Sequence, residues 1–246
     1  MYRVCSLSVA VAAIALVVTP ATAGNAQNWN GFYLGAHAGY VWGDATTRDD
    51  PADWGTDPRF IGPFPYDLDG GFGGGTVGYN WQSGTLLLGL EADLGYLDLS
   101  GSRISESSTA AFHQGHTVDG GFYALLGGRV GAAFGSTLVY GKAGWVYFDG
   151  ESSQTTTKPG YQTNGIDGFD GWAYGGGVEH ALGGGWSLKA EYLRFDFDSE
   201  QGNQTSLTDP PIGHVYEFFT DVEDVNSVKI GLNYKFGDRH EPVPLK

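Results

Sequence analysis

The chain has 246 residues, among them 41 glycines, 14 tyrosines, 14 phenylalanines and 7 tryptophans, with a formal net charge of −15. Such an acidic balance excludes binding to nucleic acid through phosphate contacts. The aromatic and glycine-rich composition speaks against an all-helical fold and for glycine-kinked strands, while few long aliphatic runs leave little for an ordinary soluble core.

The chain opens as an export signal. Met1-Tyr2-Arg3 is a short basic start, residues 4–18 are almost wholly apolar, and Ala21-Thr22-Ala23 is a small-x-small cleavage pattern, so residues 1–23 are expected to be removed. That step takes away Arg3 and no acid, which moves the net charge from −15 to −16. It also takes Cys5, so the mature chain is expected to have no disulfide and no thiol chemistry. No later stretch approaches the roughly 18 apolar residues of a membrane helix.

From there the text alternates with period two, the signature of strands. Residues 29–43 set Phe32, Leu34, Ala36, Ala38, Tyr40 and Trp42 against Tyr33, Gly35, His37 and Gly39. Residues 44–69, with four prolines and seven aspartates, read as a long exposed loop. Strands follow at 71–81 and 86–97, then a second polar loop at 100–119. Strands at 121–134 and 138–148 precede a third loop at 149–170. The stretch 172–192, WAYGGGVEHALGGGWSLKAEY, is a hairpin around a glycine-rich turn, with Glu179, Lys189 and Glu191 on one face and Trp172, Tyr174, Trp186 and Tyr192 on the other. A fourth loop at 196–224 leads to the last strand, 227–236.

Eight strands joined alternately by long and short connections imply an all-β, eight-stranded antiparallel up-and-down transmembrane β-barrel. Four long loops lie at one end, and three short turns lie at the other with both termini. The expected organisation is a signal peptide at 1–23, a barrel at 24–236 and a short periplasmic tail at 237–246.

Alternation alone leaves open which face is inside, because a soluble barrel would hide the apolar face. Volume favours the opposite choice. About five large apolar residues from each of eight strands would overfill an interior only just wide enough for side chains, whereas the glycine-rich polar face has suitable bulk. Aromatics also gather at strand ends, at Trp42, Trp81, Tyr96, Trp145, Trp172 and Trp186, as membrane interfaces require. With the apolar face toward lipid, the inward charges are Glu91, Asp93, Glu179 and Glu191 against Arg129, Lys142, Lys189, Lys229 and Lys235. Buried charges persist only when paired, so an interior closed by a salt-bridge network is expected, with little or no pore activity.

The segments WNGFYLGAHAG, GGGTVGYNWQ, LGLEADL, GGRVGAAF, VYGKAGW, GGGVEHAL with WSLKAEYL, and VKIGLNYKF together resemble the small outer-membrane β-barrel family of alphaproteobacteria, the porin-family or outer-membrane immunogenic proteins. The resemblance implies a surface protein of the Gram-negative outer membrane that supports envelope integrity. Its implied partners are outer-membrane lipid and lipopolysaccharide, the barrel-assembly machinery and a host or cell-surface ligand, and a monomer is expected. It further implies that the closing aromatics Tyr234 and Phe236 form the assembly signal, here internal because residues 237–246 follow.

Several rival chemistries have weaker support in the sequence. Gly73, Gly75 and Gly78 match a dinucleotide fingerprint but lack its strand–helix context. Glu91 and Asp93 share a face, the minimum for acid–base work, yet face bases. The acids Asp67, Asp69, Asp167, Asp170, Asp221, Glu223 and Asp224 follow no calcium-loop spacing. A rim enzyme would need Ser105 or Ser107 with His113 or His116, and a haem reading would use His113, His116 or His214. A narrow passive porin is the remaining alternative. No enzyme activity, cofactor or metal is expected.

Overall fold

The computed structural model describes residues 27–50, 62–106, 113–156, 160–207 and 212–237. The expected signal peptide, Ser107 and nearly all of the tail lie outside the described residues, as do the side chains of Ser105, His113, His116, Asp167, Glu223 and Asp224.

Among the described residues, ten strands form one antiparallel sheet: β1 (Gly31–Asp49), β2 (Phe64–Ser83), β3 (Leu86–Glu106), β4 (His113–Phe134), β5 (Thr137–Thr156), β6 (Tyr161–Asn164), β7 (Ile166–Gly183), β8 (Trp186–Phe197), β9 (Glu200–Ser206) and β10 (Val215–Lys235). Eight of them close into a ring in the order β1, β2, β3, β4, β5, β7, β8 and β10, and β10 returns to pair with β1. The other two continue staves already in the ring. β9 extends β8 along β10, with Phe195 opposite Val225 and Glu200 opposite Thr220, and β6 pairs with β9. Two-residue turns close one end at Gly84-Thr85, Gly135-Ser136 and Gly184-Gly185. Gly84, Gly135, Gly184 and Gly185 all have positive φ, which glycine adopts without steric cost.

The long loops expected at 44–69, 100–119, 149–170 and 196–224 are corrected by the structure: most of each of the last three is strand, and so are residues 44–49 and 64–69 of the first. β1 runs on to Asp49 and β2 begins at Phe64; β3 reaches Glu106 and β10 begins at Val215. Within 64–69 the alternation is clear: Phe64, Tyr66 and Leu68 are buried, while Pro65, Asp67 and Asp69 are exposed.

The wall therefore has two halves of opposite polarity. Toward the short turns the outer face is an apolar belt, with Leu88 61 %, Leu126 63 % and Phe122 68 % exposed, and the inner face is polar and charged. Toward the long connections the inner face becomes a hydrophobic core of Val41, Ala45, Leu68, Leu99, Val118, Phe148, Phe169, Phe218 and Val222. The outer face there carries Asp67, Asp98, Asp149 and Asp196. Where the halves meet, three strands slip their side-chain phase by one residue. Val118 and Gly121 in β4, Ile166 and Phe169 in β7, and Val222 and Val225 in β10 stand three apart yet are all buried inside. Such bulges add a residue and re-aim the following side chains.

Candidate functional site

The charged residues of the polar half meet in the middle of the barrel. Glu91 and Asp93 project from β3, Arg129 from β4, Lys142 from β5, Glu179 from β7, Lys189 and Glu191 from β8 and Lys229 from β10, all of them buried. Their inward direction follows from period two on a wall whose other face is apolar.

Glu91 sits at the centre. Its carboxylate accepts from Lys142 Nζ at 2.5 Å, from Lys189 Nζ at 3.2 Å, from Tyr33 Oη at 2.7 Å and from Arg129 Nη1 at 3.4 Å. Asp93 accepts from Lys142 at 2.6 Å, Lys229 at 2.8 Å and Thr76 Oγ1 at 2.5 Å. Glu179 accepts from Arg129 at 3.0 Å, Ser187 Oγ at 2.5 Å and Asn233 Nδ2 at 2.8 Å. Glu191 pairs with Lys229 at 2.6 Å and Lys142 at 3.6 Å, and accepts from Tyr140 Oη at 2.8 Å. Arg129 is also held between two rings, its guanidinium carbon 4.6 Å from the Tyr33 centroid and 5.1 Å from that of Tyr140.

At this level four carboxylates face four cations, so the cluster is neutral as a whole. Each ion is compensated where desolvation would otherwise cost several kcal/mol. Lys235, expected as a fifth inward base, lies instead at the mouth on the short-turn side, where its ammonium donates to the Asn28 carbonyl at 2.5 Å. Glu91, Asp93 and Glu191 bring carboxylate oxygens close enough to suit a metal ion. The Lys142 ammonium lies against all three, so the position a cation would take is held by the protein's own charge.

The alternation that places the ions also places their neutral partners, to which the sequence reading gave no role. Tyr33, His37, Thr76, Asn80, Tyr140, Ser187 and Asn233 are all buried on the inward face. His37 bonds Thr76 Oγ1 at 2.9 Å and contacts the Tyr123 hydroxyl. The glycines opposite are what make room for these rings. A Cβ at Gly78 would lie 2.2 Å from the Tyr33 hydroxyl, and one at Gly177 would lie 2.6 Å from that of Tyr140.

The aromatics fall into two outward rings. Near the turns, Trp81 packs on Tyr79 with centroids 4.8 Å apart, Trp186 on Tyr234 at 5.0 Å, and Phe236 on Tyr234 at 5.1 Å and Phe32 at 5.9 Å. At the far edge of the belt stand Trp42, Tyr96, Trp145 and Trp172, the last two opposite each other in register. Polar tips there reach acids just above: Trp145 Nε1 donates to Asp170 at 3.2 Å and Tyr40 Oη to Asp69 at 2.5 Å. Of the loop residues weighed for haem or rim catalysis, only His214 has a described side chain, and it lies edge-on to the Tyr216 ring at 4.6 Å.

Residues 9–236 match the family model described as outer membrane protein beta-barrel domain. The chain belongs to that family. It is 31% identical over 212 residues to a 22 kDa outer membrane protein of Rhizobium leguminosarum bv. viciae, covering 86% of this chain and 80% of that protein. It is 29% identical over 220 residues to a 31 kDa outer-membrane immunogenic protein of Brucella melitensis, covering 85% and 84%. Among solved structures, the outer membrane protein OprG of Pseudomonas aeruginosa superposes with a TM-score of 0.50 at 13% identity, over 86% of this chain and 99% of that one. The expected kinship with alphaproteobacterial outer-membrane barrels is thus borne out. This family member is an outer-membrane protein of a Gram-negative bacterium.

Proposed function

We propose that the protein is a closed outer-membrane barrel whose work is structural and adhesive, supporting the envelope and presenting a surface, without catalysis and without a steady pore. The observation that carries this reading is the neutral cluster around Glu91, which joins β3, β4, β5, β8 and β10 across the lumen through buried contacts of 2.5–3.6 Å. An open porin keeps its inward charges wet and apart; here they touch.

In this reading the apolar belt and its two aromatic rings lie in the bilayer, lipid and lipopolysaccharide surround them, and the other half of the barrel projects outside the cell. The strand lengths support that placement. β1 has 19 residues and β4 has 22, whereas a tilted strand needs about 9–11 to cross the hydrocarbon. Reconstituted in a planar bilayer, the purified protein is expected to give no steady currents of porin size. Stable channels of that size from the unaltered protein would overturn the closed reading.

Phe236 in this reading is the aromatic recognised during assembly, and the barrel is monomeric. The Phe236 amide donates to the Phe32 carbonyl at 2.9 Å, continuing the β1–β10 ladder past the end of β10. Phe236→Ser is expected to lower the outer-membrane level several-fold and leave unfolded chain in the periplasm. An unchanged level would show that the machinery reads another feature.

A further inference from the structure

The half of the barrel beyond the belt is strongly charged. The four stretches of chain that leave the outer aromatic ring and return to it, residues 43–70, 97–121, 148–171 and 195–225, hold 22 acidic against 4 basic residues, a balance of −18. The last is the extreme case, with eight acids and no lysine or arginine. A surface field of one sign draws oppositely charged molecules and turns away those that share its charge.

That same stretch departs from the inward turn of apolar residues seen in the rest of this half. Among the described residues beyond the belt, Leu207, Ile212 and Val215 are the large apolar side chains left exposed, at 51 %, 70 % and 45 %. All three stand at the connection between β9 and β10, and this tip is anchored. The Gly213 amide donates to the Ser206 carbonyl at 2.7 Å, the Ser206 amide to the His214 carbonyl at 2.9 Å and the Leu207 amide to the Gly160 carbonyl at 2.6 Å. Single exposed apolar residues are ordinary, but three gathered on one held tip mark a contact surface.

Charge complementarity decides what that surface meets. An acidic partner, such as an anionic bilayer or a second copy of this chain, is repelled by the stretch around the tip. A partner with apolar side chains on one face and lysine or arginine around them satisfies both the tip and the field. We infer that the β9–β10 tip docks a basic amphipathic polypeptide segment. This names the partner for the adhesive surface proposed above and rests on that half facing outward.

The test uses the whole mature protein in phosphatidylcholine nanodiscs and fluorescent synthetic peptides, with empty nanodiscs as the reference. The main probe carries leucine along one helical face and lysine on the other. Saturable binding at one site per chain is expected. Exchanging its leucines for serine, or its lysines for glutamate, should each weaken binding about tenfold or more, as should the paired change Leu207→Ser with Ile212→Ser. Both side chains are exposed, so that variant should keep its heat-dependent shift on SDS gels. Raising the salt from about 50 to 500 mM should weaken the main probe several-fold. Serine peptide binding as tightly as the leucine one would overturn the proposal, because charge alone would then suffice. Glutamate peptide binding as tightly, unaltered affinity of the tip variant, or no binding above empty nanodiscs would do the same. So would tip-dependent attachment to phosphatidylcholine vesicles without peptide binding, which would make the partner a membrane. On intact cells the peptide should prefer those making the unaltered chain over those making the tip variant. Loss of that preference, with binding kept in nanodiscs, would overturn the outward placement and uphold the docking surface.

Discussion

Replacing Glu91 by alanine is expected to destabilise the barrel by about 3–5 kcal/mol, the cost of leaving buried charges without their partner. The residue is fully enclosed, and Lys142, Lys189 and Arg129 all direct protons at its carboxylate. Its loss leaves three cations for Asp93, Glu179 and Glu191 to compensate together with Lys229, so the cluster becomes both unbalanced and cavitated. The readout is the temperature at which the barrel loses its compact migration on SDS gels, together with urea unfolding in lipid vesicles. A double change, Glu91→Leu with Lys189→Leu, restores charge balance and should recover a substantial part of the loss. If the double variant is as unstable as the sum of its parts, the damage is one of shape, and the electrostatic account fails.

The second large effect belongs to the other half. Phe169→Ala removes a ring that is 1 % exposed and stacked on Phe148, which is expected to cost about 3–5 kcal/mol. The loss should be local. Amide hydrogen exchange is expected to accelerate in the upper β5–β7 and β9–β10 pairings, around Ser152 and Thr220, while amides near Lys142 and Lys229 keep their protection. Uniform acceleration along whole strands would show instead that the apolar core and the ion cluster form one cooperative unit.

The contrast between the halves explains what was legible in the sequence. Where lipid is expected outside, the alternation of Leu, Trp and Tyr with Gly, Glu and Lys is strong, and it placed the strands and eight of the nine expected inward charges. Lys235, the last residue of β10, lies instead at the mouth, where its ammonium meets the Asn28 carbonyl. Past the belt the same strands continue with the apolar residues turned inside and the outward positions filled with aspartate. Phe64, Tyr66 and Leu68 carry that signal, but prolines and aspartates between them read as loop. The slips at Val118–Gly121, Ile166–Phe169 and Val222–Val225 then break the period where it would have linked one half to the next. A search for alternation that resumes after a one-residue skip would have found the extensions.

The seam between β1 and β10 sets the order in which the molecule is made. Tyr33 pairs with Lys235 and Asp49 with Phe218, so the first strand exported waits for the last before its free edge is covered. Every other neighbour in the ring is close along the chain; this one closes the longest loop the polypeptide has. Until then, β1 offers an unpaired edge able to template wrong partners. A chain truncated before β10 should accumulate as aggregate or be degraded, since no smaller ring offers it a closed state.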